Sequence, residues 1–174
     1  MLTLITGGSA SGKSAFAERL LSACNASNRI YLATMESHDP ECDARIRRHR
    51  AARAKRGFLT LERSTGLSAI TLPENCAVLL ECLTNLAANE CYSPSGARGK
   101  TYDAILSGID TLCRQAKEVI VVSGEVFSDG ECYDVETLHY IDLIGRLNCA
   151  IARRAERVVE VVYSIPVYHK GAKL

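Results

Sequence analysis

The sequence lacks hydrophobic runs long enough to cross a membrane. No apolar stretch in its 174 residues approaches the roughly 20 residues that a transmembrane helix requires. The N-terminal stretch MLTLITGG carries neither the charged region nor the cleavage site of a signal peptide. We therefore expect a cytoplasmic protein with no membrane span.

Paired cysteines are also missing. The eight cysteines form no C-x-x-C pair and no cysteine–histidine cluster with zinc spacing. In a cytosolic chain of this length, scattered cysteines are typical of small buried residues or free thiols. The spacing therefore argues against both a disulfide scaffold and a structural zinc site.

Repeats, low-complexity segments and long linkers are absent as well. A chain of 174 residues that is 47% hydrophobic is large enough to bury one substantial core. Short β-rich runs alternate with helical patterns, which is typical of an α/β fold. We predict a single domain over residues 1–174, with a mostly parallel sheet and helices on both faces.

Six β-rich, mostly apolar runs predict strands. They lie at 2–6, 29–34, 58–62, 77–82, 118–123 and 157–163. Helices are predicted at 13–23, from Pro40 to a stop at Gly57, at 102–116 and after a cap at Asp134. The last helix has Leu138, Ile141, Ile144, Asn148 and Ile151 on one face. The segments 92–100 and 123–134 are predicted surface loops.

The stretch GGSASGKS matches the Walker A pattern G-x-x-x-x-G-K-S. It follows an apolar strand and precedes a helical pattern, which is the context of a phosphate-binding loop. Glycines let backbone N–H groups approach phosphate oxygens, and the helix N-terminus adds positive potential. Lys13 is expected to reach the β- and γ-phosphates, and the Ser14 hydroxyl to bind Mg²⁺. The candidate nucleotide-binding residues are Gly7, Gly8, Ser9, Ala10, Ser11, Gly12, Lys13 and Ser14.

Glu81 is the candidate acidic residue of the nucleotide site. It follows four apolar residues at the end of the run AVLLEC, the position of a Walker B acid. Since the metal-binding acid there is usually aspartate, Glu81 is a candidate metal ligand, general base or metal-shell group. A helix-capping or solvated glutamate is the alternative.

The segment RIRRHRAARAKR (45–56) concentrates the positive charge of the chain. It contributes +7 to a chain of net charge +1, so the remaining residues sum to −6. A nucleic-acid-binding protein usually spreads positive charge over a whole face, and we therefore expect no nucleic-acid partner. On a helix, Arg45, His49 and Arg53 share one face, where the arginines would favour a neutral, nucleophilic imidazole and hold phosphate oxygens. A solvated basic face with an incidental histidine is the other interpretation.

Seven stretches along nearly the whole chain carry a family resemblance. Their order resembles the bifunctional adenosylcobinamide kinase/adenosylcobinamide-phosphate guanylyltransferase family of cobalamin biosynthesis. The P-loop is common to many families, whereas R-I-x-x-H-x-x-x-R and L-L-E-C-x-T-x-x-x-x-N are the specific motifs. The stretches are GGSASGKS, RIYLAT, ARIRRHRAAR, LLECLTNLAAN, EVIVVSGEV, GRLN and YSIPV.

The resemblance implies a P-loop NTPase fold related to the RecA core, and two activities. One phosphorylates adenosylcobinamide; the other passes GMP from GTP to adenosylcobinamide phosphate through a guanylylated histidine, which matches His49 here. GTP and ATP are then substrates with Mg²⁺, and a corrinoid is the acceptor. Lys13 and Glu81 join His49 as catalytic residues, and Thr34, Arg45 and Arg53 join the nucleotide-binding residues. The family also implies a homotrimer.

Two departures from the family pattern leave other functions open. Ala10 stands where the family usually has arginine, and SGEVFSDGEC (123–132) replaces T-N-E-V-G-x-G-I-V-P. A changed glycine-rich loop can alter a ligand site. A divergent P-loop kinase or nucleotidyltransferase with another acceptor is therefore one alternative. A non-enzymatic, nucleotide-dependent binding module is the other.

Overall fold

The computed structural model describes residues 1–36, 56–126 and 132–172. Its strands are β1 (Leu2–Thr6), β2 (Asn28–Ala33), β3 (Leu59–Glu62), β4 (Cys76–Leu80), β5 (Glu118–Val122), β6 (Arg157–Val162) and β7 (Ile165–Lys170). They form one sheet in the order β3-β2-β4-β5-β1-β6-β7. The structure confirms the six predicted strands and adds β7.

Strands β1 to β6 pair in parallel, and β7 pairs antiparallel to β6. The reversal occurs at Tyr163 and Ser164, which have φ values of 50° and 65°. Two successive residues with positive φ are what a tight hairpin turn requires. The mostly parallel sheet is therefore closed at one edge by a short hairpin.

The central strands bury side chains on both faces of the sheet. Along β4, Cys76, Val78 and Leu80 belong to one apolar cluster, whereas Ala77 and Leu79 belong to another. Because side chains alternate along a strand, the two clusters lie on opposite faces. This arrangement explains the continuous apolar runs of the sequence.

Helices cover both faces, as predicted. The described helices are α1 (Lys13–Ala23), α2 (Leu83–Tyr92), α3 (Thr101–Gln115) and α4 (Val135–Arg154). Helix α1 packs in the cluster that contains Leu79, and the other three pack in the cluster that contains Leu80. None of these described helices is long and apolar enough to cross a membrane. The helix predicted between Pro40 and Gly57 lies mostly outside the described residues.

Helix α2 was not predicted from the sequence. It begins after Cys82, whose sulfur accepts a hydrogen bond from the backbone N–H of Asn85. Its buried face includes Leu83, Leu86 and Ala87, but also Asn89 and Glu90. The two polar residues interrupt the apolar periodicity, which hides the helix from a pattern search. The next segment, a predicted loop over 92–100, includes a short 3-10 turn at its end.

Helix α4 begins where the sequence predicts, but its buried face is only partly as predicted. The Asp134 carboxylate accepts a hydrogen bond from the backbone N–H of Thr137 at 2.9 Å, so it caps the helix. Ile144 and Ile151 are buried as expected, together with Leu147. Leu138, predicted on the same face, is 50% exposed. The face is therefore buried only from Ile144 onward.

The described cysteines are free thiols. Cys24 and Cys76 are buried, and burial raises the pKa of Cys24 to about 12. Cys113, Cys132 and Cys149 are exposed. Within the described ranges, the expectation of small buried residues and free thiols is confirmed.

Glu90 connects α2 to two neighbouring loops. It is 2% exposed, and its two carboxylate oxygens accept hydrogen bonds from the backbone N–H groups of Gly66 at 2.7 Å and Ala97 at 2.8 Å. Replacing Glu90 by alanine removes both of these partly buried hydrogen bonds, and we expect a loss of about 2 kcal/mol in the free energy of unfolding. Urea denaturation of the purified protein measures this loss.

Glu74 provides the control for that substitution. Its side chain is exposed and only its backbone carbonyl accepts a hydrogen bond, from the Asn28 amide. Glu74→Ala should therefore change stability by less than about 0.5 kcal/mol. Equal denaturation midpoints for Glu90→Ala and Glu74→Ala would contradict the capping role of Glu90.

The strand order creates a crevice at the carboxyl end of β1. From β1 the chain moves to β2 on one side of the sheet, and from β5 it crosses over β1 to β6 on the other side. Ligands of open α/β sheets bind outside the carboxyl ends of strands at such a reversal. The loops that follow β1, β4 and β5 are therefore the expected walls of a ligand site.

Candidate active site

The predicted phosphate-binding loop connects β1 to α1 and packs against the turn of the β6–β7 hairpin. The backbone N–H of Ser164 donates to the carbonyl of Ser11 at 2.7 Å. On the other side, the backbone N–H of Glu125 donates to the carbonyl of Gly7 at 3.1 Å. These bonds fix the loop to both neighbouring strand ends.

Two glycines are required by the loop geometry. A Cβ on Gly7 would lie 2.5 Å from the carbonyl oxygen of Val161, and one on Gly12 would lie 2.5 Å from the Ser164 hydroxyl. Gly12 also has a φ of 91°, in the region that side chains avoid. Gly7 and Gly12 are therefore required by the close approach of Val161 and Ser164 as well as by phosphate binding.

Gly12→Ala should impair nucleotide binding more than it impairs folding. The added Cβ collides with Ser164, and the backbone shift that relieves the collision also moves Lys13. We therefore expect the affinity for ATP to fall about tenfold or more, which corresponds to only about 1.4 kcal/mol of binding free energy. Gly57→Ala is the matched control, because Gly57 has a φ of 76° and open space around its Cβ position. Calorimetric titration with ATP should separate the two variants; equal losses would mean that backbone strain alone is responsible.

Lys13 and Ser14 open helix α1 at the mouth of the crevice. The Lys13 ammonium donates to the carbonyl of Gly8 at 3.0 Å, which holds it above the loop. Ser9, Ala10 and Ser14 are exposed to solvent. Ala10 adopts a φ of 55° without being glycine, so it contributes to the curvature of the loop backbone.

A cavity of about 530 Å³ lies in front of this loop, and Ser9, Lys13, Ser14 and Glu81 line it. Its size is within the range of small-molecule sites. Glu81 directly follows β4, as expected of an acid at the carboxyl end of a neighbouring strand. The structure thus places the predicted lysine, serine and glutamate around one space.

The donor atoms at this cavity suit a magnesium ion. The Ser14 hydroxyl and the Glu81 carboxylate are oxygen donors, which Mg²⁺ prefers. The described residues include no cluster of three or more His, Cys, Asp or Glu side chains that could hold a metal alone. Mg²⁺ usually binds through one or two protein oxygens and the phosphates of its nucleotide, so the residues present fit it.

Thr34 directly follows β2 and is fully buried. Its hydroxyl donates to the carbonyl of Cys82 at 3.3 Å and accepts from the Asn85 amide at 3.4 Å. The Asn89 amide donates to the backbone carbonyls of Thr34 and Ser64, at 2.7 and 3.2 Å. These bonds tie the segments after β2 and β3 to helix α2. Direct nucleotide contact by Thr34 stays a prediction.

His49, Arg45 and Arg53 lie outside the described residues. The chain approaches their segment through Met35, which lines the cavity, and Glu36, whose carboxylate accepts from the Ser93 hydroxyl at 2.7 Å. Arg56, the last basic residue of the segment, pairs with Glu18 of α1. The described chain before this segment therefore includes one residue, Met35, that lines the nucleotide cavity.

Several cavity residues were not predicted as site residues. Thr84 and Asn85 come from α2, Val126 from the loop after β5, and Tyr140 from α4. The Tyr140 hydroxyl donates to the carbonyl of Thr84 at 2.6 Å, and burial raises its pKa well above the usual value. Tyr140 is thus neutral at physiological pH. No spacing connects it to the P-loop in the sequence, because α4 reaches the cavity only through the tertiary fold.

Comparison with known proteins finds full-length relatives. A family model described as cobinamide kinase / cobinamide phosphate guanyltransferase matches residues 3–168. The bifunctional adenosylcobalamin biosynthesis protein CobP of Pseudomonas aeruginosa is 35% identical over 179 residues, covering 100% of this chain and 100% of that protein. The bifunctional adenosylcobalamin biosynthesis protein CobU of Escherichia coli (strain K12) is 31% identical over 181 residues, covering 96% of this chain and 98% of that protein.

Solved structures resemble this chain at the level of the fold. The KaiC-like protein PH0186 from Pyrococcus horikoshii OT3 aligns with a TM-score of 0.50 at 14% identity, covering 91% of this chain and 71% of that chain. At this identity the similarity concerns the fold alone. It confirms the fold class predicted from the sequence, a mostly parallel sheet with helices on both faces.

Proposed function

The chain belongs to the cobinamide kinase / cobinamide phosphate guanyltransferase family, and from that membership we propose how its residues carry out both reactions. The protein is a transferase of cobalamin biosynthesis, which sets aside the non-enzymatic alternative. It phosphorylates adenosylcobinamide and transfers GMP to the phosphorylated product. The observation that carries the assignment to this site is the convergence of Lys13, Ser14 and Glu81 on one cavity.

In the kinase reaction, the phosphate-binding loop holds ATP or GTP by its phosphates. The acceptor hydroxyl attacks the γ-phosphorus, the bond between that phosphorus and the bridging oxygen breaks, and the nucleoside diphosphate leaves with the electron pair. Lys13 stabilises the charge on the phosphate oxygens. Glu81 and Glu125 line the cavity, and Glu81 is our candidate to accept the hydroxyl proton.

Mg²⁺ would be held by the Ser14 hydroxyl. Glu81 would bind the ion directly or through a water molecule. When bound, it supplies charge neutralisation at the β- and γ-phosphates. Ser14 stands at the first turn of α1, where the helix N-terminus also favours anionic groups. The loop, the helix end and Lys13 together therefore bind the polyphosphate.

In the second reaction, we assign the nucleophile to His49. Its imidazole nitrogen attacks the α-phosphorus of GTP, a P–N bond forms, and pyrophosphate leaves. A phosphate oxygen of adenosylcobinamide phosphate then attacks the same phosphorus, and the P–N bond breaks. Arg45 and Arg53 would keep the imidazole neutral and hold the phosphate oxygens during both displacements.

Mass spectrometry of the reaction products tests the proposed function. Purified protein is incubated with adenosylcobinamide, Mg²⁺ and either ATP or GTP, and the corrinoid products are separated. With ATP we expect adenosylcobinamide phosphate, and with GTP we expect the GDP-linked corrinoid as well. An unmodified corrinoid, from protein that binds both nucleotides, would overturn the assignment.

A divergent acceptor is the second candidate function. Gly124, Glu125 and Val126 all line the cavity. They belong to the loop that departs from the family pattern, in which Glu125 and Val126 match the pattern and Gly124 stands where it has asparagine. A change at this wall can alter which alcohol or phosphate reaches the nucleotide. Transfer of phosphate to another alcohol, with no transfer to adenosylcobinamide, would favour this candidate.

The assembly and location that we propose follow from the family resemblance. We expect a single-domain cytoplasmic protein that forms a homotrimer. Light scattering coupled to size-exclusion chromatography gives the number of chains directly. A monomeric mass at the working concentration would contradict the trimer.

A further inference from the structure

The cavity in front of the phosphate-binding loop has a lining of mixed chemistry. Ser9, Lys13, Ser14 and Glu81 supply polar and charged groups. Ala88 of α2, Val126 and Tyr140 supply apolar surface. A polyphosphate needs the polar and charged groups, so the apolar surface is available to a different part of the reacting molecules.

The geometry of phosphoryl transfer indicates which reacting molecule contacts the apolar surface. The attacking and leaving oxygens lie in line on opposite sides of the γ-phosphorus. The phosphate-binding loop and α1 hold the leaving nucleotide, so the acceptor must approach from the opposite side. Helices α2 and α4, which follow β4 and β5 in the chain, bring Ala88 and Tyr140 to the cavity.

The Tyr140 ring is fixed in place before any ligand binds. Its hydroxyl donates to the Thr84 carbonyl at 2.6 Å, and its ring lies 6.4 Å from the ring of Tyr92, centroid to centroid. The Tyr140 side chain lines the cavity with its hydroxyl already bound to the backbone. Tyr92 is 54% exposed and extends the aromatic surface outward. A preorganised apolar wall of this kind binds ligand surface at little entropic cost.

We propose that Tyr140, together with Ala88 and Val126, forms the acceptor-binding wall, against which the hydroxyl-bearing arm of the corrinoid lies during phosphoryl transfer. The inference rests on the proposed function, because the acceptor is the substrate named there. It assigns Tyr140 to acceptor affinity and not to nucleotide affinity. The larger apolar surface of the corrinoid would rest outside the cavity, near Tyr92.

Steady-state kinetics of the kinase reaction test this wall. KM values for adenosylcobinamide and for ATP are measured for wild type, Tyr140→Ala and Tyr140→Phe. For Tyr140→Ala we expect KM for adenosylcobinamide to rise by about tenfold or more, which corresponds to about 1.4 kcal/mol of binding free energy. KM for ATP should stay within about twofold of wild type. Tyr140→Phe keeps the ring and should stay close to wild type for both substrates.

Tyr102→Ala is the matched control for loosening of α4. Tyr102 of α3 packs its ring against Arg146 of α4, with the guanidinium 4.8 Å from the ring centroid, and Tyr102 is not a cavity-lining residue. This variant should be less stable but should keep both KM values. If Tyr140→Ala does not fold, Tyr140→Leu removes the aromatic ring with a smaller loss of volume, and the same split in KM is expected.

Each outcome has a defined meaning. A rise in KM for ATP and not for the corrinoid would assign the wall to the nucleobase and overturn the inference. An equal loss in Tyr140→Phe and Tyr140→Ala would make the hydrogen bond to Thr84 responsible, and would overturn it too. A wild-type enzyme that does not phosphorylate adenosylcobinamide overturns the proposed function, whereas an active wild type with an unchanged corrinoid KM in Tyr140→Ala overturns this inference alone.

Discussion

Lys13→Ala is expected to reduce kcat/KM of the kinase reaction on the order of 10³-fold, because it removes a positive charge that acts on the transferring phosphoryl group. The Lys13 ammonium lies over the loop backbone, 3.0 Å from the carbonyl oxygen of Gly8. It also lines the cavity that contains Glu81. Rate measurements with ATP and adenosylcobinamide under single-turnover conditions isolate the chemical step. GMP transfer should fall as well, because both reactions use the polyphosphate site.

Lys170→Ala is the control that separates this loss from a general effect of removing a lysine. The Lys170 ammonium donates to the carbonyls of Ala152 and Arg153 at 3.2 and 3.1 Å, at the end of α4. Its removal should lower stability slightly and leave turnover unchanged. A Lys13→Ala enzyme with wild-type turnover would contradict the assignment of the phosphate-binding loop as the kinase centre.

The sequence predicts the sheet well because the determining interactions are local. Each central strand is a run such as CAVLL or EVIVV in which consecutive residues are buried on alternate faces. The phosphate-binding loop is predicted for the same reason, since strand, glycines, lysine and helix are contiguous. Gly7 and Gly12 show that the motif also satisfies packing against the hairpin turn, a contact that no local pattern contains.

The remaining parts of the site depend on contacts between distant segments. Tyr140 reaches the cavity through the packing of α4 against α2, and it bonds Thr84 across 56 positions of sequence. Thr34 was predicted as a nucleotide-binding residue from its motif, yet its hydroxyl is engaged with Cys82 and Asn85. Helix α2 was missed because Asn89 and Glu90 occupy buried positions where polar residues are rare. Buried polar residues with tertiary partners are therefore what sequence patterns predict least well here.

His49→Ala should abolish covalent labelling by GTP while the kinase reaction continues. If His49 is the nucleophile, its removal leaves no atom to form the P–N bond, and GMP transfer should fall by roughly 10⁴-fold or more, as for other covalent catalysts that lose the nucleophile. Phosphoryl transfer to the acceptor hydroxyl does not use this bond, so it should persist. Incubation with α-³²P-labelled GTP and Mg²⁺, followed by denaturing separation, detects an acid-labile, base-stable label on the protein.

His139→Ala is the matched control, because His139 is an exposed histidine on α4 that belongs to neither reaction. It should be labelled like wild type. If His49→Ala still carries the label, another residue is the nucleophile, and the basic segment reverts to a solvated helix face. If His49→Ala loses both the label and the kinase activity, the segment supports the whole active site and not the guanylyl step alone. Only loss of the label with retained kinase activity assigns a covalent role to His49, and with it a catalytic role for the seven-cation segment 45–56.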